Sequence, residues 1–226
     1  MSAILHCHPD RDACLAALAR IITQRLAEAL QGPGPAHMLL PGGSSPEALL
    51  PLLAGQALDW SRVHVSPTDE RWVPADAAQS NLALLRQGLP NAQLLDPRQA
   101  EEPEEAARRW GEQLCNWQPL SVVLLGVGED GHFASLFPGM PGLAAALDRL
   151  AAPAALVGRA PTQPQTRLSA NLALLDASDW LGLLVFGEAK RRLIEATLAD
   201  EPGTRELPLH ALLHGGRSAA DIHWAP

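Results

Sequence analysis

Short apolar runs of strand length alternate along the chain with stretches whose apolar residues recur every three or four positions. Residues 3–8 read as a strand. Pro9 and Asp10 then open a helix that places Leu15, Leu18, Ile22, Leu26 and Leu30 on one face, with Gly32 past its end. Ala36–Leu40 predicts a buried strand. It runs into Pro41-Gly42-Gly43-Ser44-Ser45-Pro46-Glu47, where either serine suits an N-cap and Ser44 with Glu47 fits a capping box. Arg62–Ser66 alternates as a strand and ends in Thr68-Asp69-Glu70-Arg71. Asn81–Arg86 reads as helix, Gln93–Leu95 as a short strand, and Glu101–Trp117 as a charged amphipathic helix. Leu120–Leu125, apolar but for Ser121, and Leu181–Phe186 read as apolar runs, the pattern of parallel strands covered on both faces. Ala154–Val157 and Arg167–Ser169 are weaker strands. Glu188–Leu198 and Leu209–Leu213 read as helices, and Ile222–Trp224 as a closing strand. The Pro/Ala-rich stretch 138–166 reads as a loop-rich excursion.

This alternation implies βαβ units and an α/β fold with a mainly parallel sheet flanked by helices. There is no internal repeat, low-complexity tail or long linker, so a single domain over residues 1–226 is expected. In such sheets ligands bind beyond the carboxyl ends of the strands. The segments 41–46, 68–74, 126–132 and 187–190 all fall there.

Composition narrows the class. A chain of 226 residues buries roughly 70–75 % of its unfolded surface and needs no staple. The apolar fraction of 47 % and charged fraction of 19 % exclude a disordered, coiled-coil or fibrous chain. No apolar run reaches the length of a membrane span, and the N-terminus lacks a basic stretch followed by an apolar one. Cys7, Cys14 and Cys115 are scattered and read as reduced thiols, so a cytoplasmic location is expected. With 25 acids, 17 bases and a net charge of -8, neither nucleic acid nor an anionic membrane is an expected partner. Sixteen of the 17 bases are arginine. The one lysine, Lys190, is either an accident of composition or a position that needs a compact ammonium which a guanidinium does not imitate.

The candidate chemistry lies in the turns. Gly42-Gly43-Ser44-Ser45 joins a strand to a helix N-terminus and reads either as an anion-binding loop or as an ordinary capped turn. Asp69 and Arg71 either face a polar substrate or belong to a solvated charged loop. Gly126-Val127-Gly128-Glu129-Asp130-Gly131-His132 matches G-x-G-x-x-G after a strand. A dinucleotide site is rejected because Glu129 and Asp130 place negative charge where a pyrophosphate would lie. The downstream acid, Asp148, also falls in a helical stretch instead of at a strand end. The better reading is a glycine turn that presents His132 as a general base beside the Asp130 carboxylate. His6 with His8, and His210 with His214, lack a clear third ligand, so no metal is expected.

Together these segments resemble the 6-phosphogluconolactonase family. The resemblance rests on Leu40-Pro41-Gly42-Gly43-Ser44-Ser45-Pro46, on Asp69-Glu70-Arg71-Trp72-Val73-Pro74 with Ser80-Asn81, and on the run from Gly126 to Gly139. Arg167-Leu168-Ser169 and Phe186-Gly187-Glu188-Ala189-Lys190 follow in order, so it covers about residues 37–195. It implies a Rossmann-like layer sandwich that hydrolyses a small phosphorylated sugar lactone in the oxidative pentose phosphate pathway without metal or organic cofactor. It implies His132 as base, Asp130 as its orienting group, and a phosphate held at Gly42, Gly43, Ser44 and Ser45 with Arg167 and Lys190. Asp69 would hold Arg71 or a sugar hydroxyl, and the protein would be a monomer or small homo-oligomer. Two positions depart from the family pattern: Pro41 stands where a serine is usual, and Phe133 where a threonine is usual. Related deaminases carry a glutamate five residues after the histidine. Phe137 stands there in this chain and disfavours deaminase or isomerase chemistry; a non-catalytic sugar-phosphate sensor is the other alternative.

Overall fold

The computed structural model describes residues 3–216 and 219–226, so Met1 and Ser2 of the N-terminal segment lie outside it. Seven strands form one parallel sheet: β1 (Ile4–Cys7), β2 (Ala36–Leu40), β3 (Val63–Pro67), β5 (Gln93–Leu94), β6 (Val122–Gly126), β9 (Leu181–Phe186) and β10 (Asp221–Ala225). Their order is β1-β10-β9-β6-β2-β3-β5. The helices α1 (Arg11–Ala29), α2 (Ser44–Ala54), α3 (Asn81–Gly88), α4 (Pro103–Asn116), α7 (Glu188–Leu198) and α8 (Pro208–Leu213) connect or flank these strands. The α/β reading with a mainly parallel sheet is borne out.

Alternation along the strands explains the layering. Met38, Leu40, Val63, Val65, Val122 and Leu124 pack with α1, α2 and α3. Leu39, Val123, Leu125, Leu183, Val185 and Ile222 pack with α4, α7 and α8 in the second cluster. Successive side chains point to opposite faces, so continuous apolar runs are what a sheet sandwiched between helices requires.

A second, antiparallel sheet of order β4-β8-β7 was not foreseen. It comprises β4 (Asp69–Arg71), β8 (Thr166–Ala170) and β7 (Ala155–Arg159). Residues 69–71, expected in a turn, are therefore a strand, and Arg71 stands opposite Arg167 in its register. The 138–166 excursion carries a short helix, α5 (Leu143–Ala146), before β7; a second short helix, α6 (Leu172–Leu175), follows β8. No helix among the described residues is long and apolar enough to cross a membrane.

The sheet order fixes where a ligand goes. From β2 the chain builds outward through β3 and β5, then returns to the other side of β2 at β6 and continues outward through β9 and β10. Strand order thus reverses between β2 and β6, and a crevice opens beyond their carboxyl ends. The Gly42 turn and the Gly126–His132 loop are the two segments that leave the sheet at that point.

His6 on β1, His8 just past its end and His223 on β10 stack along the β1 edge of the parallel sheet. The ring centroids lie 4.7 and 5.3 Å from His223, and His8 Nε2 is 3.1 Å from His223 Nδ1. Burial, then the His6 and His8 rings, push the His223 imidazole from 6.5 down to about 4, against an opposing pull from Asp221. The fold holds this ring neutral whereas the unfolded chain protonates it. Stability is therefore full above the unfolded value and falls as pH drops from 6.5 to about 4, by about 3 kcal/mol at most. Thermal melts between pH 7.5 and 4.5 should show that loss, and His223→Asn should remove most of the slope. An unaltered slope in the variant would assign the acid sensitivity elsewhere.

Candidate active site

The crevice is a cavity of about 390 Å³ lined by residues from both sheets. Its first wall is the β2–α2 turn. Gly43 is the N-cap of α2 at φ 104, and no side chain caps the helix. The capping box expected from Ser44 and Glu47 does not form. Gly43 takes the cap position with a positive φ that serine adopts poorly, and Ser44 becomes the first helical residue. Gly42 is packed so closely that a Cβ would sit 1.8 Å from Asn81 Oδ1. The result is a helix N-terminus whose amides remain free for an anion at the cavity wall. The α7 N-terminus repeats the device, with Gly187 at φ 92 and no side-chain cap. Lys190, on the first turn of α7, lines the cavity and makes no side-chain hydrogen bond or ion pair among the described residues.

The second wall is the loop after β6. His132 Nδ1 lies 2.5 Å from Asp130 Oδ1. A carboxylate only accepts, so Nδ1 donates, and in the neutral ring Nε2 is the nitrogen with the lone pair. His132 lines the cavity and Asp130 does not, which puts the carboxylate behind the ring. Gly128 makes this arrangement possible, because a Cβ there would lie 2.2 Å from His132 Nδ1 and 2.5 Å from Asp130 Oδ1. The Phe137 ring packs on the imidazole, with centroids 4.5 Å apart. No helix starts at this loop, so the strand-turn-helix geometry of a dinucleotide fingerprint is absent. Phe133 is fully buried in the core and Pro41 lines the cavity, so of the two departures from the family pattern only Pro41 touches the site.

The third wall is the β4–β8 pair. Asp69 is 8 % exposed; its Oδ2 accepts from Ser135 Oγ at 2.6 Å and its Oδ1 from Thr68 Oγ1 at 3.2 Å. Arg71 donates from Nη1 to Gln79 O at 2.7 Å. Arg167 is 7 % exposed, with Nε and Nη1 buried and without a hydrogen-bond partner among the described residues. Burial and the neighbouring Arg71 guanidinium push Arg167 below the usual arginine range, while Asp69 and Glu70 pull it back up.

All the substrate-binding residues expected from sequence therefore line one cavity with His132. Others were not foreseen. Asn81 Nδ2 donates to Asp69 O at 2.7 Å, and Ser135, Phe137 and Thr162 complete the lining. Glu70 is fully buried. Its carboxylate accepts from Arg71 N, Ser80 Oγ, Asn81 N and Leu82 N at 2.7 to 3.0 Å, and Arg98 Nη1 lies 3.6 Å away. Glu70 thus joins β4 to the start of α3 and fixes both Arg71 and Asn81. The available signal was Ser80-Asn81 at a helix start, ten residues after Glu70.

His210 and His214 stack at 4.3 Å and bond to Asp200 and Thr197 O instead of to each other's ligand. Among the described residues no group of three or more His, Cys, Asp or Glu side chains is placed to hold a metal ion.

Comparison with known proteins places these features in a family. Residues 9–224 match the family model described as glucosamine-6-phosphate isomerases/6-phosphogluconolactonase. A 6-phosphogluconolactonase of Pseudomonas putida is 39 % identical over 223 residues, covering 96 % of this chain and 90 % of the relative. One of Rhizobium meliloti is 35 % identical over the full length of both chains. The crystal structure of a 6-phosphogluconolactonase from Shewanella baltica superposes with a TM-score of 0.89 at 30 % identity, covering 99 % of this chain and 98 % of that one.

Glu70→Gln replaces one acceptor oxygen with an NH₂ that, in either orientation, faces two of the four donors. It should lower unfolding free energy in urea by at least about 2 kcal/mol. An unchanged midpoint and slope would remove Glu70 from its structural role.

Proposed function

The chain belongs to the glucosamine-6-phosphate isomerase/6-phosphogluconolactonase family, and on that premise we propose that it hydrolyses 6-phospho-D-glucono-1,5-lactone to 6-phosphogluconate in the oxidative pentose phosphate pathway. The enzyme is a carboxylic ester hydrolase whose substrate-binding residues and His132 face one cavity, with Asp130 behind the His132 ring. The observation that carries the reading is the His132–Asp130 pair at the strand-order reversal, with cationic donors on both sides of it.

Lactone hydrolysis is acyl transfer to water. His132 Nε2 takes a proton from water as its oxygen bonds to C1. The C1–O5 bond then breaks, and the imidazolium returns the proton to O5. Asp130 holds the ring in the productive tautomer and stabilises the imidazolium. The phosphate is held by the Gly42–Ser45 amides and hydroxyls and by Lys190, with Arg167 as a further substrate-binding cation. Asp69 and Arg71 face the sugar. Residues 1–226 act as one catalytic domain, because both sheets contribute to the lining. The proposed setting is the cytoplasm, with a small phosphorylated lactone as partner and no nucleic acid, as a monomer or small homo-oligomer.

The alternative is deaminase or isomerase chemistry, which needs a proton relay near the imidazole. Phe137, whose ring lies against His132, offers no titratable group there. That contact favours the lactonase.

His132→Ala should lower kcat by about 10²–10⁴ while 6-phosphogluconate still binds near normally. Full turnover in this variant would refute the base assignment. Lys190→Ala should chiefly raise KM; an unchanged KM would take Lys190 out of the phosphate site.

A further inference from the structure

Glu70 touches the cavity only through its neighbours. Oε1 accepts from Arg71 N and Asn81 N, and Oε2 from Ser80 Oγ and Leu82 N. Arg71 and Asn81 line the cavity, whereas Glu70 and Arg98 do not. A carboxylate at zero exposure is costly without a counter-charge, and Arg98 supplies one. Its side chain is 8 % exposed, with Nη1 3.6 Å from Glu70 Oε2.

Arg98 does more than neutralise. Nη1 donates to Val73 O at 3.2 Å and to Ser80 Oγ at 3.1 Å, which ties together both ends of the segment 74–79. Ser80 Oγ donates in turn to Glu70 Oε2 at 3.0 Å. Within the segment, Gln79 O accepts from Arg71 Nη1 at 2.7 Å. Arg71 is therefore held from Arg98 twice, at its amide through Glu70 and at its guanidinium through Gln79. Asn81 is held at its amide through Glu70, and its side chain fills the space beside Gly42 in the anion-binding turn. Asp96 Oδ1 fixes the cation itself, accepting from Arg98 N at 2.9 Å and Nε at 3.1 Å.

We infer that Arg98 is a positioning residue for substrate binding: from outside the cavity, and through Glu70, Ser80 and the 74–79 segment, it sets the places of Arg71 and Asn81. The inference rests on the lactonase reading for its substrate and adds to that reading a residue that never meets the ligand. The His132–Asp130 turn is secured separately, by Gly128 N to His132 O and Leu209 N to Gly131 O. Loss of Arg98 thus weakens the hold on the sugar phosphate and spares proton transfer, which raises KM and keeps kcat. A merely destabilised enzyme behaves in the opposite way, because fewer active molecules lower the apparent kcat and leave KM alone.

Steady-state hydrolysis of freshly generated 6-phosphogluconolactone, with melting curves to show which variants are folded, tests this. Arg98→Met should raise KM about tenfold with kcat within about threefold of native. Arg98→Lys, which keeps the charge and a donor beside Glu70 and Ser80, should recover most of the native KM. In a Glu70→Gln background the charge that Arg98 answers is gone, so adding Arg98→Met should raise KM by less than about twofold further. An unmoved KM in Arg98→Met, a fall in kcat alone, or full multiplication of the two effects in the double variant would overturn the inference. If Arg98→Met does not fold, Arg98→Gln, which keeps a donor for Val73 O and Ser80 without the charge, decides by the same KM and kcat criteria. A native enzyme that leaves the lactone at its spontaneous rate contradicts the lactonase reading itself, and the inference with it.

Discussion

The hydrogen bond that His132 Nδ1 donates to Asp130 decides which imidazole nitrogen meets the cavity, and much of the local structure exists to make it. It demands a glycine at 128, where any side chain would occupy the space of the ring. It demands a loop that turns back on itself, secured within by Gly128 N to His132 O at 2.9 Å. From outside, the Leu209 amide of α8 bonds to Gly131 O at 2.9 Å, and Leu207 packs against Gly131. The base is oriented by a carboxylate two residues away and braced by a helix near the other end of the chain.

Around that base the electrostatics are local and run against the net charge of -8. Positive potential comes from two uncapped helix N-termini and from three side chains, Arg71, Arg167 and Lys190. Several arginines elsewhere pair with surface carboxylates, as in the Arg108 and Arg109 contacts with Glu105. The lone lysine among seventeen bases is thus in the one helical turn where an ammonium faces the cavity, and Arg191 just beyond it bonds to Glu195 instead. A point charge with rotatable donors suits a phosphate approached by several backbone amides.

The parallel sheet was legible because continuous apolar runs of five or six residues have few other uses, and the His132–Asp130 turn because its residues are contiguous. The antiparallel sheet was not. Its strand β4 is the three charged residues Asp69-Glu70-Arg71, whose burial depends on partners at Ser80–Leu82, Arg98 and Arg167 that no local pattern announces. The Ser44–Glu47 capping box failed for a similar reason: Asn81, thirty-odd residues away, fills the space beside Gly42 and forces the turn onto Gly43. Periodicity reports which face is buried, but it does not report which distant polar group arrives there.

The central claim is that this site opens a phosphorylated lactone. Its most direct test is to add the purified protein to freshly generated 6-phosphogluconolactone and follow acid release after subtracting spontaneous hydrolysis, with ammonia release from glucosamine 6-phosphate measured in parallel. The account predicts lactone opening far above the spontaneous rate and no ammonia. A rate equal to the spontaneous one, or ammonia from the amino sugar, would contradict it.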